Sequence, residues 1–310
     1  MKNIYTILFS LVSIFLLNAC ETTEKIDDFP LRPSRLVVNS YFESDSIWKF
    51  QVSNSLSVLD NADLKIIDNA SIRLFKGGEF LDTISEMDED YWYRYTDHLP
   101  VQGERYSIEV STPDFVSVIH AEDILPQAVP LSNVDVIVTD SSFNYERYYE
   151  WGTIQRGWVE GFFEITFLDP AMEENYYRMS LYSYDVDYDY VDSTIKHIYK
   201  RSVYYQVEDA SIEDQFSSDD NLLFNDFLFD GQKYKIKLSF QEWDVFKGQE
   251  FYVELESLSR TGYLYKKSIS EYENASGDPF SEPVRIYSNI ENGFGIFAGL
   301  SRDQFVFTLD

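Results

Sequence analysis

Residue types that catalyse hydrolysis are sparse in this sequence. Its three histidines, His98, His120 and His197, lie in unrelated segments of the 310 residues. A hydrolytic triad needs a nucleophile, a base and an orienting carboxylate in contact, and no serine lies in a G-x-S-x-G turn. The 54 Asp and Glu residues leave a glycosidase carboxylate pair open, but no pair stands out. We therefore predict no catalytic residue, no cofactor and no enzyme activity.

One acidic run begins like a calcium-binding loop. Its aspartates are Asp185, Asp187, Asp189 and Asp192. Tyr190 stands where an EF-hand loop requires glycine, and Lys196 stands where a glutamate should chelate the ion. On a strand, alternate aspartates would share one face and repel each other unless a cation or a basic group lay between them. We interpret the run as a solvated acidic face, with a Ca²⁺ site as the alternative, and predict no other metal site.

Aromatic side chains could stack on sugar rings, and they make up 17% of the residues. Three clusters are candidates for such a glycan site: Tyr91-Trp92-Tyr93, Tyr148-Tyr149-Glu150-Trp151 and Tyr204-Tyr205. Aromatic residues also favour strands and fill sandwich cores. We therefore interpret these tyrosines as half-buried sheet residues and keep glycan binding as the alternative.

The single cysteine, Cys20, has a specific chemical interpretation. Lys2 and the apolar residues 4–17 are typical of a signal peptide over residues 1–19, and the apolar stretch is too short to span a bilayer. Leu17-Asn18-Ala19-Cys20 resembles a bacterial lipobox, which implies diacylglyceryl and acyl groups such as palmitate on Cys20. The alternative is an ordinary cleaved signal with an incidental cysteine. Because each buried methylene contributes about 0.8 kcal/mol, two or three acyl chains make a lasting anchor.

Charge and cysteine content exclude several classes of protein. The 54 acidic residues outnumber 25 basic ones, giving a formal charge of −29, so a phosphate backbone would be repelled and nucleic-acid binding is excluded. One cysteine cannot form a disulfide framework. Residues 20–33 are polar and acidic, which predicts a solvated tether after the lipid. This acidic patch also resembles the export signal of Bacteroidota lipoproteins that face the cell surface.

The rest of the chain predicts a mainly β fold in two domains. Six or seven short strands over residues 34–127 indicate an immunoglobulin-like or transthyretin-like sandwich. Prolines within residues 126–130 cannot continue a sheet and mark an edge. Residues 128–310 predict a larger antiparallel β domain with one helix at about residues 258–274. We interpret the glycine-rich segment from Gly293 to Gly299 as structural turns rather than as an interaction loop.

Several stretches carry a family resemblance, the strongest of them in the last 35 residues. They are SRLVVNSYF (34–42), NASIRL (69–74), PVQGERYSI (100–108), DPFSEP (278–283) and YSNIENGFGIFAG (287–299). On these stretches the chain resembles uncharacterised outer-membrane lipoproteins of Bacteroidota that are often encoded beside TonB-dependent receptors. The resemblance spans essentially the whole chain after Cys20 and brings no catalytic residue. It implies a lipid-anchored protein of the outer membrane, and the acidic patch after Cys20 adds the expectation that it faces the cell surface.

These observations predict a function in binding rather than in catalysis. We expect a non-enzymatic surface lipoprotein that acts as the accessory or binding component of a TonB-dependent transporter system, with that receptor or another outer-membrane protein as its partner. The alternative is a structural subunit of an outer-membrane protein assembly or export complex. Neither hypothesis identifies the ligand.

Overall fold

Alternation of buried and exposed side chains along strands sets the architecture. The computed structural model describes residues 33–56, 64–149, 152–188, 195–209, 212, 221–276 and 281–309. The strands and the helix named below belong to one compact unit, Ser34–Leu56 with Asp60–Asp310. Strand β1 shows the pattern: every second residue from Leu36 to Phe42 is buried, as expected where one face of a sheet covers a core.

The described ranges hold sixteen strands and one helix, α1 (Arg260–Ser276). In chain order the strands are β1 (Leu36–Glu43), β2 (Trp48–Asn54), β3 (Ser71–Lys76), β4 (Glu79–Ile84), β5 (Tyr93–Tyr95), β6 (Arg105–Thr112), β7 (Phe115–Ile124), β8 (Leu131–Tyr149), β9 (Gly152–Leu168), β10 (Tyr176–Tyr188), β11 (Ile195–Ser202), β12 (Tyr205–Val207), β13 (Leu222–Asn225), β14 (Lys233–Phe246), β15 (Glu250–Leu258) and β16 (Phe294–Thr308).

These strands form one large sheet and two small ones. The large sheet has the order β11-β10-β15-β16-β1-β2-β5, with β13 also paired to β10. The small sheets have the orders β4-β3-β6-β7 and β12-β14-β9-β8. Neighbours are antiparallel except β1 and β16, which run parallel. The predicted fold class, mainly β and of sandwich type with one helix, is confirmed.

The first hydrophobic core draws its residues from β1, β2, β5 and the small sheet β4-β3-β6-β7. Rings of Phe42 and Trp48 stack with centroids 5.1 Å apart, and Tyr106 meets Trp48 edge-on at 4.9 Å. The Trp48 indole donates a hydrogen bond to the His98 carbonyl at 2.7 Å. The large aromatic residues therefore fill this core while their polar atoms keep partners.

The second core draws its residues mainly from the sheet β12-β14-β9-β8 and from β10 and β15. Phe163 packs on Phe240 with ring centroids 4.6 Å apart, and Phe167 packs on Tyr177 at 5.3 Å. One face of this sheet is therefore buried against the second core, and the opposite face does not pack against that core.

Strand β16 contributes to both cores. Its Phe297 lies in the first core, 4.7 Å from Phe42, while Phe305 and Phe307 pack against the second. Leu300, on the alternate face, packs with the helix residue Tyr263. Residues on both sides of the predicted division at 127 and 128 thus share one sheet, and the position of the domain boundary stays a prediction.

Gly295 and Gly299 lie in β16 and Gly293 lies in the bend just before it, so the predicted turns are corrected to a strand from Phe294 onward. Gly295 pairs with Val38 of β1 and has φ +104°, and a Cβ there would lie 2.1 Å from the Val38 carbonyl oxygen. A side chain would not fit this close approach, so glycine is required by packing inside a sheet rather than by a turn.

Helix α1 begins two residues later than predicted because Ser259 caps it. The Ser259 hydroxyl oxygen accepts a hydrogen bond from the Gly262 backbone N–H at 3.0 Å, the usual N-cap arrangement. One face of the helix packs Tyr263 against Leu258 and Leu300. Within the described residues, no helix has the length and apolarity that crossing a membrane requires.

Candidate functional site

One face of the sheet β12-β14-β9-β8, here called the outer face, points away from the second core. Val159 and Phe163 on β9 and Leu238 on β14 point into the core, so the residues between them point outward. The outward residues include Trp158, Glu160 and Phe162 on β9 and Ser239, Gln241 and Trp243 on β14.

Strand register arranges these side chains in rows across the outer face. The rows are Trp158 with Trp243, then Glu160 with Gln241, then Ile137, Phe162, Ser239 and Gln206. Residues i and i+2 share a face, so successive rows lie roughly 7 Å apart along the strands. Two aromatic rows therefore flank a row that carries a carboxylate and an amide.

The tryptophan pair is the most unusual feature of this face. The Trp158 and Trp243 rings lie 5.7 Å apart with planes inclined by 34°. Trp243 is 62% exposed, whereas Trp48 in the first core is fully buried. Large apolar side chains grouped at a surface mark sites that contact another molecule.

A bulge in β14 follows directly after Trp243. The register with β9 shifts between Trp243 and Val245, and Asp244 has φ 59°. Arg156 of β9 holds the bulge by donating from Nη1 to the Asp244 carbonyl at 2.8 Å and by pairing with its carboxylate, also at 2.8 Å. Trp243 continues the alternation of Ser239 and Gln241 and faces outward without the bulge, whereas the bulge turns Val245 into the second core.

An open groove of about 500 Å³ lies beside Trp243 on the outer face. It is lined by Glu160, Phe162, Gln241 and Tyr204, among others, and Tyr204 is 59% exposed. The Gln241 amide donates to the Glu160 carboxylate at 3.4 Å. A volume of this size suits a small ligand or part of a longer chain.

Charges around the groove are few and partly paired. The Lys237 ammonium lies 3.6 Å from the centroid of the Phe162 ring and 3.6 Å from the Glu208 carboxylate. Glu160 adds a second carboxylate to the lining. The groove thus offers flat aromatic surfaces with hydrogen-bonding groups and a slight excess of negative charge.

Tyr204 is fixed by an ionic chain that includes one residue of the predicted calcium site. Its backbone N–H donates to the buried Glu242 carboxylate at 3.2 Å. Arg201 pairs with Glu242 at 2.6 Å and, through Nε, with Asp185 at 2.9 Å. Asp185 therefore has a basic partner that relieves the charge repulsion along β10.

The other aspartates of that predicted site are only partly described. Asp187 lies in β10 opposite His197 of β11, while Asp189 and Asp192 lie outside the described residues. The Ca²⁺ site at this run stays a prediction. Cys20, with the signal peptide and the tether, also lies outside the described ranges, so its lipidation stays a prediction as well.

A different acidic cluster brings together Asp169, Asp226 and Asp230, whose carboxylate oxygens lie within 4.8 Å of one another. Carboxylates at this spacing could hold a divalent cation. Asp169 accepts hydrogen bonds from the Tyr177 hydroxyl and the Gly231 backbone N–H. Burial raises the pKa of Asp169, and the two neighbouring carboxylates raise it further.

The hydrogen bonds of this cluster join two loops, those after β9 and β13. Asp226 accepts from the Asn175 backbone N–H at 2.8 Å, and Asp230 accepts from the Met172 backbone N–H at 3.0 Å. Each carboxylate therefore already has a donor from the loops, and we assign the cluster a structural role.

Histidines are separated in the fold. The His98 carbonyl accepts the Trp48 indole hydrogen bond, whereas the His120 imidazole lies 3.8 Å from the Glu109 carboxylate. His120 borders a second open groove, of about 480 Å³, on the sheet β4-β3-β6-β7. Glu109 there also pairs with Arg73, so the carboxylate closest to His120 is already engaged by an arginine. The absence of enzyme activity stays a prediction.

The aromatic clusters predicted from sequence divide between core and groove. The Tyr93 hydroxyl is buried and donates to the Ile67 carbonyl at 2.7 Å, and the Tyr205 hydroxyl donates to the Met179 carbonyl at 3.0 Å. Tyr204 lines the groove. Trp151 lies outside the described residues, and nothing is described of the side chains of Tyr148 and Tyr149.

Trp158 and Trp243 were not predicted as site residues. The local signal for Trp158 is its alternation with Glu160, Phe162 and Glu164, which places charged and aromatic residues on one face. For Trp243 the surrounding residues are polar, which is typical of an exposed position.

The fold and the groove together define a β-sandwich protein with an aromatic, ligand-sized groove on one sheet face. A family described as "Domain of unknown function (DUF4249)" matches residues 21–305. The chain belongs to this family. Among curated proteins, none matches it significantly.

Proposed function

We propose that the protein is a non-enzymatic, lipid-anchored outer-membrane surface protein that acts as the accessory or binding component of a TonB-dependent transporter system. Support comes from the lipobox at Cys20, from the acidic residues that follow it, and from the resemblance to Bacteroidota lipoproteins encoded beside TonB-dependent receptors. A lipid anchor restricts the protein to the membrane plane, which raises its effective concentration near a membrane transporter.

The tryptophan pair beside the groove, in which Trp243 is 62% exposed, is the observation that carries a binding role. Trp158 and Trp243 lie on strands whose other face packs the second core, so the binding surface is held by a packed sheet. A rigid surface loses little entropy when a ligand binds. In this proposal the groove captures a ligand that the transporter then takes up.

Co-purification tests the transporter partner. The tagged lipoprotein is extracted with mild detergent from outer membranes, and its bound proteins are identified by mass spectrometry. We expect a TonB-dependent transporter in the eluate. The matched control is Cys20→Ala, which removes the anchor and should reduce recovery of the transporter. A lipoprotein recovered without any transporter would contradict the proposal.

A second candidate function, a structural subunit of an assembly or export complex, is favoured by apolar loop tips. Met172 is 93% exposed and Phe227 is 84% exposed, and Leu228 beside it is also exposed. The acidic cluster joins the two loops that carry them. Exposed apolar residues held in a fixed arrangement are typical of protein contacts.

Two substitutions distinguish these functions. Trp243→Ala should impair ligand uptake and leave the co-purifying proteins unchanged if the protein is a binding component. If the protein is a structural subunit, Phe227→Ser should remove the co-purifying proteins, and this substitution alone should cause the assembly or export defect. If Phe227→Ser abolishes assembly while Trp243→Ala has no effect, the second function replaces the first.

A further inference from the structure

We propose that the groove beside Trp158 and Trp243 binds an uncharged glycan chain. This inference rests on the proposed binding function and names its ligand class. The groove lies on the outer face of the sheet β12-β14-β9-β8 and combines aromatic, amide and carboxylate side chains in rows.

Two exposed aromatic side chains in the groove suit a chain of linked sugars. A pyranose ring presents an apolar face of C–H groups, which can pack on an aromatic ring as other apolar groups do. Trp243 and Tyr204 both line the groove and are 62% and 59% exposed. Phe162 also lines the groove, but the Lys237 ammonium lies over its ring. A short oligosaccharide can therefore contact more than one aromatic surface at once.

Polar groups between the aromatic rows suit sugar hydroxyls. Glu160 offers acceptors, and the Gln241 amide offers both donors and an acceptor. The hydrogen bond between the two side chains is long, at 3.4 Å. A sugar hydroxyl that donates to the carboxylate and accepts from the amide would replace it with two shorter hydrogen bonds. Gln206 and Ser239 in the neighbouring row supply further donors and acceptors.

Charge favours an uncharged ligand. Glu160 and Glu208 line the groove, and the Lys237 ammonium is already engaged with Glu208 and with the Phe162 ring. A phosphate, sulfate or carboxylate group on a ligand would meet net negative charge here, on a chain whose formal charge is −29. Like charges brought together at a site are unfavourable.

Other ligand classes fit this groove less well. A peptide that adds to a sheet needs a free strand edge, whereas β9 is hydrogen-bonded to strands on both sides and β14 is paired with β12 beside the groove, at residues 238–240. A wholly apolar ligand would cover Glu160 and Gln241 without giving them hydrogen bonds, and unpaired polar groups are costly to bury.

Tryptophan fluorescence and calorimetry test this proposal with the full-length protein in detergent. The probes are cellohexaose, xylohexaose, mannohexaose and chitohexaose, with dextran sulfate as the charged comparison. We expect saturable binding of at least one neutral probe and no specific binding of dextran sulfate. Trp243→Ala should weaken the binding about tenfold or more, as loss of an aromatic anchor does. Glu160→Ala should also weaken it.

Tyr272→Ala is the matched control, because Tyr272 is 48% exposed and lies on helix α1, which packs on the large sheet rather than on the sheet that carries the groove. It should bind as the unmodified protein does. Thermal melting checks that every variant is folded, which is expected since surface truncations change stability by only about 0.5 kcal/mol.

Each outcome of the binding assay decides between the proposals. The glycan proposal is overturned if no neutral probe binds, or if folded Trp243→Ala binds as tightly as the unmodified protein. If a transporter co-purifies but no sugar binds, the glycan proposal fails and the proposed function stands. If a sugar binds through Trp243 without any co-purifying transporter, the glycan proposal stands and the transporter role fails.

Discussion

Asp123 should give this protein a distinct pH dependence of stability. The residue lies in β7 with 7% of its surface exposed, and its carboxylate accepts from the Gly299 backbone N–H at 3.0 Å. Ser259 and Thr261, at the start of helix α1, also hydrogen-bond to it. Burial raises the pKa of Asp123 from 3.8 to about 6, although these hydrogen bonds offset part of the effect.

The direction of the effect follows from the raised pKa. Between about pH 4 and pH 6 the folded protein holds a proton on Asp123 that the unfolded chain has released. The contribution of this group to stability is therefore complete below about pH 4 and is lost as the pH rises through about 6. One pKa unit corresponds to about 1.4 kcal/mol, so the loss is on the order of 3 kcal/mol.

Asp123→Asn isolates this contribution because asparagine does not titrate. Urea unfolding of both proteins is measured from pH 4 to pH 7.5, and the free energy of the variant minus that of the unmodified protein is plotted against pH. The other carboxylates are common to both proteins, so their contributions to the pH dependence largely cancel in this difference. We expect the difference to rise by about 3 kcal/mol across this range. A flat difference, or one that falls, would refute the reasoning.

Four further predictions concern single residues. Gly161→Ala should lower the free energy of unfolding by about 1–3 kcal/mol, because its Cβ would lie 2.2 Å from the Ile137 carbonyl oxygen; an unchanged urea midpoint would contradict this. Tyr177→Phe should cost about 1–3 kcal/mol at pH 7, since it leaves buried Asp169 without its hydroxyl donor, and urea unfolding measures the loss. Millimolar Ca²⁺ should leave the melting temperature unchanged, because Arg201 already neutralises Asp185; a rise that Asp187→Asn removes would instead support the Ca²⁺ site. Radiolabelled palmitate should label the protein but not Cys20→Ala, and equal labelling would disprove the anchor.

The fold class could be predicted because its signals are local. Alternation of apolar residues from Leu36 to Phe42 and from Trp48 to Val52 marks strands whose inward residues are buried in the structure. The helix is also visible, since Tyr265, Ile269 and Tyr272 recur at helical spacing. Its start was placed two residues early because the capping role of Ser259 depends on one hydrogen bond.

The role of β16 could not be predicted from local sequence. Its glycines carry no side chains, so the alternation that marks a strand is missing over Gly293–Gly299. The parallel pairing with β1 joins residues from opposite ends of the chain, such as Val38 and Gly295. Nothing near either residue in the sequence specifies that contact, so turn chemistry was the natural interpretation of the glycines.

The groove was missed for a different reason. Phe162 and Phe163 are adjacent and equally apolar, yet one lies on the outer face beside Lys237 and the other is fully buried. Alternation alone defines two faces and does not say which of them is covered by another sheet. The pairing of Trp158 with Trp243 depends on the β9–β14 register, which arises from tertiary structure.

Placement on central strands gives the groove a property that loop-borne sites lack. The residues of β9 that alternate with Trp158, Glu160 and Phe162 are packed in the second core, so the ligand-facing rows can move only if that core moves. A binding site on a loop would become ordered when the ligand binds, and the entropy lost in that ordering would reduce the affinity. We therefore infer that the spacing of the aromatic rows is fixed before the ligand arrives, and that this spacing selects among ligands. Substitutions at core residues such as Phe163, which touch no ligand, would then alter affinity by displacing the rows.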